Sequence, residues 1–537
     1  METRTVDEIA DDYFGYLGRH LPQQCASDEF YFLPRSEGAM GHLTHLDYMT
    51  PDAVADHIAA VSALLHELAT TGDGDLEDEI DRDLVRQSME GFIREFGTMQ
   101  VWRSDPARYV TIPLLATDHI ISGTCATPEG MTGDLLAVFS QIPPFLGRAA
   151  AHLRRPAGLA IEVACAMVDD ALQFYERDLR TFIAQSLAGN RELLASIDGI
   201  RYAWETYRHA LRKMPACPSF AIGKENLEAI FGISLGCEHS IDAMLEIARH
   251  EYDRAEQALR RLAAEMDGTT PWQDLIYTGS CPPITTSDAL VQLYDREIDA
   301  LHTFFRTRDI LTLPPGERVA LMETPSFLRS LRATASYRAP LTGDSGGRGI
   351  FYITPGDEDL TQTAAHCPYL TAHEAYPGHH VLDHVRLDHP NAIRRQIESP
   401  LFYEGWACYA EHLLDDLGYI TRRRTRMIGL KRRLWRALRT ELDIMLQTER
   451  ITLAEGAAQI EDLGFTPRRA ARQIRRFALT PGYQSCYALG LHEILDLRRR
   501  FSGSLTMKEF HDTLLSGGQI PFHWCRRRLQ QAAAPLP

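Results

Sequence analysis

Apolar residues recur at intervals of three and four along most of this chain, in segments such as "AVADHIAAVSALLHELA" (53–69), "LAIEVACAMVDDALQFYERDLRTFIAQSLA" (159–188) and "MLEIARHEYDRAEQALRRLAAEM" (244–266). That spacing marks one face of a helix, so the expected fold is mainly α. Neither a fixed-period repeat nor a strand–helix–strand alternation is present. The acidic "GDGDLEDEIDRD" (72–83) reads as a loop running into a helix start, and the Gly/Pro/Thr-rich stretch 267–288 as a connection between helices. The helical pattern breaks at "YRAPLTGDSGGRGIFYITPG" (337–356), where Gly and Pro bracket a short β-type run, Gly349 to Thr354. That run predicts either a hairpin over the core or an edge strand that holds an extended substrate through its main chain. Two regions are expected, 1–330 helical and 331–537 carrying the chemistry, within one compact unit.

With 537 residues and 45% apolar content, the chain is long enough to bury a substantial core. Its first residues, "METRTVDEIADDYFGYLG", carry acids where a secretory signal has a basic start and an apolar run, and no stretch reads as a membrane span. The ten cysteines are scattered without a CxxC pair, which argues against a cysteine-held metal and for a reducing, cytoplasmic setting. Oligomeric state leaves no mark in the sequence. The net charge of −17 hides an asymmetry: from Thr421 onward the chain carries +12, and the preceding 420 residues carry −29. Such an imbalance hints at an acidic partner.

The chemistry concentrates in "TAHEAYPGHHVLDH" (371–384). Two histidines four apart on a helix, with a glutamate after the first, hold a zinc ion on one face; here the position for the second histidine is Pro377. On an unbroken helix His380 would lie roughly 10 Å along the axis from His373, and His379 would face elsewhere. Pro377, however, cannot sit quietly in that helix, and Gly378 is free to take unusual backbone angles. Looping out two residues brings His379 into the slot; looping out three selects His380. A third ligand is needed, and "SPLFYEGWACYAEHLLDDLG" offers Glu404 and Glu411, seven apart on one helix face. Only one can reach the metal; Glu404 is assigned to it, and Glu411 to orienting a histidine from behind.

The runs "HEAYPGHH", "FYEGWACYAE", "PGYQSCYALGLHEILDLRRR" and "FHDTLLSGGQIP" resemble the DUF885 family of bacterial proteins, placed among gluzincin-type metallopeptidases. The resemblance extends over nearly the whole chain, from "YFGYLGRHLP" through "LRATASYRAP". It implies a mostly helical, zincin-like protein with His373 and His379 as zinc ligands, Glu374 as base and Glu404 as third ligand. The related dipeptidyl-peptidase III family tolerates a similar motif with one extra residue.

With zinc in place, Glu374 is positioned to take a proton from an attacking water. Tyr487 is the candidate catalytic donor to an oxyanion, Tyr483 and Arg498 are candidate substrate-binding groups, and Asp383, one turn past His379, could orient a ligand imidazole. The arginines of the C-terminal part form helical stripes, Arg432, Arg436 and Arg439 in one and Arg468, Arg472 and Arg475 in another. Each reads as a solvated face or as a phosphate-binding surface for tRNA. The expected function is a zinc-dependent, peptidase-like hydrolase of a peptide or related amide. Its rival is a zinc-dependent acyltransferase moving an aminoacyl group from aminoacyl-tRNA to a small amine or hydroxylamine.

Overall fold

The computed structural model describes residues 4–72, 74–123, 127–277, 283–324, 335–340, 349–354 and 360–534. Part of the 267–288 connection, the glycine-rich 341–348, Cys125 and Cys281 lie outside them. Helices start where the sequence supplies caps. Thr5 and Glu8 form a reciprocal capping box for the helix Val6–His20, as Asp75 and Asp78 do for Leu76–Ile93, directly after the acidic loop. The three periodic segments quoted above fall on the helices Pro51–Leu68, Gly158–Gln173 with its continuation to Ser186, and Ile241–Asp267. No helix of the described residues is long and apolar enough to cross a membrane.

The chain divides into two compact units, one built on residues up to Phe220 and the other on the chain from Ala221 onward. The division falls well before the expected boundary at 330, because the helical pattern runs unchanged through 221–330 and gives no signal of the switch. The first unit buries Tyr13, Phe92, Tyr109, Tyr175 and Trp204, each no more than 1% exposed. Its buried phenols are satisfied locally, as where Tyr109 donates to the carbonyl of Trp102 at 2.6 Å.

The second unit holds all of the candidate site. The run 349–354 forms β3 (Ile350–Ile353), which pairs antiparallel with β2 (Ala335–Arg338) and parallel with β1 (Ala320–Glu323) in the order β1-β3-β2. The hairpin expectation is met by β2 and β3. The edge-strand expectation is not, since β3 is bonded on both sides; its partner β1 comes from an apolar segment too short to announce itself. The helix Pro400–Asp416, started by Ser399 and Pro400, crosses the helix Cys486–Phe501 where Gly405 faces Gly490. A Cβ on Gly490 would stand 2.1 Å from the Leu401 carbonyl oxygen and 2.6 Å from the Gly405 Cα. Substituting Gly490→Ala is therefore expected to destabilise the protein by about 1–3 kcal/mol, read as a lower urea midpoint at unchanged slope. An unchanged midpoint would contradict so close a crossing.

Candidate metal centre

The helix Cys367–Glu374 stops at Ala375, and the next, His379–Leu387, begins four residues later. Between them lies a cis Tyr376–Pro377 peptide, followed by Gly378 folded back on the helix it has just left. A Cβ there would lie 1.9 Å from the His373 carbonyl oxygen and 2.3 Å from that of Ala372, so glycine alone fits. Trp406, from the helix carrying Glu404, pins the reversal by donating Nε1–H to the Pro377 carbonyl at 2.8 Å. The reversal brings the His379 ring to 4.7 Å from that of His373, the two nearly perpendicular.

Both imidazoles present Nε2 to a single atom, Glu404 Oε2, at 3.4 Å from His373 and 3.8 Å from His379. The ligand atoms of His373, Glu374 and His379 all lie within 4.8 Å of one another. All four side chains are buried, yet among the described residues Glu404 Oε2 has no hydrogen-bond partner. A buried carboxylate oxygen without one is costly. Ligand atoms around a tetrahedral zinc, each about 2.0–2.2 Å from the ion, lie roughly 3.4 Å apart, so the donor set fits a His₂Glu site.

Electrostatics favour the ligating protonation states of Glu404 and His379, whereas at His373 the opposing effect of burial is outweighed by Glu404 and Glu411, and the pKa is raised. Burial alone would raise the Glu404 carboxyl, but His373, His379 and Tyr487 outweigh it and hold it at about 2. Burial, helped by His373, drops His379 to about 3, leaving it neutral. Burial pushes Glu374 up to about 7, against the pull of His373.

Behind His373, Nδ1 lies 2.9 Å from Glu411 Oε1 and 3.3 Å from an Arg436 nitrogen. The nearer carboxylate accepts a hydrogen bond from Nδ1–H, which fixes the tautomer and leaves the Nε2 lone pair facing Glu404. Glu411 is held by Arg432 at 2.7 and 2.8 Å and by Arg436 on both oxygens. The stripe Arg432, Arg436, Arg439 is thus turned inward, contrary to either surface reading: Glu411 and the aromatic wall supply partners that a single helix pattern cannot reveal. Arg439 donates twice to Gln484 Oε1 and lies 3.7 Å over the Tyr487 ring. In contrast, Arg468 and Arg472 are exposed.

Tyr483 donates to Glu404 Oε1 at 2.7 Å. Tyr487 also bears on Glu404, and its ring lies parallel to His373 at 6.4 Å. Asp383 engages Arg386 at 2.8 Å and the Tyr403 hydroxyl at 3.3 Å rather than His379. It acts at one remove, because the Tyr403 ring stacks on His379 at 3.8 Å. Arg498 pairs with Asp416 at 2.7 Å and is not gathered at the cluster. His380 belongs to another buried network: its Nε2 lies 3.0 Å from Glu317, which also accepts from Tyr376. Sequence reasoning missed Arg432 and Arg436 as supports and Tyr403 and Trp406 altogether. The signal for Trp406 was its place in "EGWA", facing a Pro-Gly break that needs a donor.

The model of the family described as "Bacterial protein of unknown function (DUF885)" matches residues 34–529. The chain belongs to the DUF885 family. Comparison with curated proteins gave no match. Two solved structures share the fold. One, described as a "putative lipoprotein of unknown function" from Shewanella oneidensis, is 20% identical, with TM-score 0.80 over 98% of this chain and 100% of that one. The other, a "putative lipoprotein" from Colwellia psychrerythraea, is 17% identical, with TM-score 0.75 over 98% and 99%.

The placement of His379 against Glu404 and of His380 against Glu317 generates a direct prediction. His379→Ala should abolish stoichiometric zinc binding, whereas His380→Ala should keep most of it, as measured by metal analysis of dialysed protein. The reverse pattern would move the centre to the other histidine.

Proposed function

We propose that this DUF885 chain is a zinc-dependent, peptidase-like hydrolase acting on a peptide or related amide. The observation that carries the reading is the unpartnered Glu404 oxygen facing Nε2 of two histidines, with Glu374 beside them. Zinc held by His373, His379 and Glu404 would supply a Lewis acid and lower the pKa of a water. Glu374, poised near neutrality by burial, suits both halves of the proton transfer, taking the proton from the attacking water and returning it to the leaving amine. Tyr403, Tyr483 and Tyr487 are only half-buried, in contrast to the histidines and Glu404, so they lie on the solvent side. Burial raises the pKa of Tyr483 and Tyr487, which keeps them protonated as donors to an oxygen that gains charge.

A second reading, aminoacyl transfer from tRNA to an amine or hydroxylamine, draws on the exposed Arg468 and Arg472 and on the charge imbalance. It is weaker than the sequence alone suggests, because Arg432 and Arg436 are committed to Glu411. Glu374→Gln is expected to keep its fold and zinc while peptide turnover falls about 10²–10⁴-fold, and Arg468→Ala/Arg472→Ala should leave turnover intact. Unchanged turnover in Glu374→Gln would remove the base from this scheme. Salt-dependent tRNA binding that the arginine pair abolishes, in a protein that cleaves no peptide, would favour the transferase.

A further inference from the structure

Several arginines of this unit pair with carboxylates: Arg432 and Arg436 with Glu411, Arg433 with Glu251, Arg498 with Asp416. Arg439 is different. Half-buried, it has Gln484, a neutral side chain, as its hydrogen-bond partner, and among the described residues no carboxylate lies within ion-pairing distance. Asp443, one helical turn on, is taken up by the Gly482 and Ser485 amides and the Ser485 hydroxyl. Asp443 therefore reaches Arg439 only through its field, and a half-buried cation with no anion in contact is unfavourable unless something else supplies one.

Its orientation is fixed on three sides. The guanidinium lies over Tyr487 at 3.7 Å and within 5.5 Å of Phe477. Gln484 Oε1 holds the edge formed by Nε and Nη2 at 3.0 and 2.6 Å. Among the described residues the Nη1 hydrogens have no acceptor. Tyr487, which carries the cation on its face, bears on Glu404 and lies parallel to His373. The guanidinium is therefore no more than about 10 Å from the His373 ring, a distance that one or two residues of extended peptide, about 3.3–3.6 Å each, cover once the contacts at their two ends, about 2–3 Å each, are added.

We propose that Arg439 anchors the free C-terminal carboxylate of the substrate, so that the site takes short peptides or N-acyl amino acids cleaved one or two residues before their end. This rests on the hydrolase reading above. A planar carboxylate matches the end of a guanidinium already fixed by aromatic contacts, so little side-chain entropy is lost on binding. Arg476, exposed on the helix Pro467–Ala478, adds positive charge at the same Tyr487 ring. A polyanion would need several such cations at the opening; Arg439 offers one recessed end, sized for a single carboxylate.

The test measures binding separately from turnover. In a zinc-loaded Glu374→Gln background, N-acetyl-dialanine with a free carboxylate is titrated calorimetrically against the same peptide as its C-terminal amide. The free acid should bind about 10–100-fold more tightly. Adding Arg439→Gln should remove that preference while leaving amide binding unchanged, and Arg439→Lys should restore part of it, with circular dichroism showing both variants folded. Equal binding of acid and amide, no binding of either, or a preference that survives Arg439→Gln would overturn the anchor. If wild-type protein cleaves neither peptide although the preference is present and Arg439-dependent, the hydrolase reading fails and the anchor stands.

Discussion

Everything at the candidate metal centre depends on how the backbone turns between His373 and His379. A straight helix carries the second histidine past the first, whereas here the chain ends one helix, reverses over its last carbonyls and starts another. Gly378 packs against those carbonyls where no side chain fits, and the Trp406 indole holds the Pro377 oxygen from a neighbouring helix. Because Trp406 lies on the same helix as Glu404, the contact that secures the reversal also sets the position of the third candidate ligand. That helix is in turn seated by the Gly405–Gly490 crossing, which places the Tyr487 helix against it. Motif, ligand helix and tyrosine helix thus form one mechanical unit.

The charges follow a matching logic. Glu411 and Glu404 occupy one helix face, seven residues apart, yet they have opposite surroundings. Two arginines saturate Glu411, making it a fixed acceptor that holds the His373 proton on Nδ1. Glu404 receives a tyrosine on one oxygen and leaves the other bare, facing two lone-pair nitrogens. A carboxylate made costly in this way is stabilised by a cation placed between it and the histidines. Arg439 presents the complementary case, a cation with no carboxylate in contact among the described residues.

Much of this was legible in the sequence. Periodicity revealed the mainly α fold, and the impossibility of Pro377 inside a helix pointed to a reversal that could deliver His379. The Glu404 and Glu411 pair was visible as a seven-residue spacing on an apolar helix. What stayed hidden depends on contacts between segments far apart in the chain. Arg432 and Arg436 have the spacing of a surface stripe, and only the approach of Glu411 shows that they point inward. Tyr403 looks like an ordinary core aromatic until its ring is seen stacked on His379. Arg498 and Asp383 were plausible by type and proximity, but Asp416 and Arg386 stand closer to them. The middle position of β3 was invisible because β1 is only four residues long, and the boundary at Phe220 because both units are written in the same helical pattern.

The central claim is that His373, His379 and Glu404 together hold one zinc ion. Diffraction from crystals of the purified, zinc-supplemented protein, collected on either side of the zinc absorption edge, tests it most directly. A single strong anomalous peak within bonding distance of Nε2 of both histidines and of Glu404 Oε2 is the expected result. A peak at His380 and Glu317 instead, or none near Glu404 in zinc-saturated crystals, would contradict it.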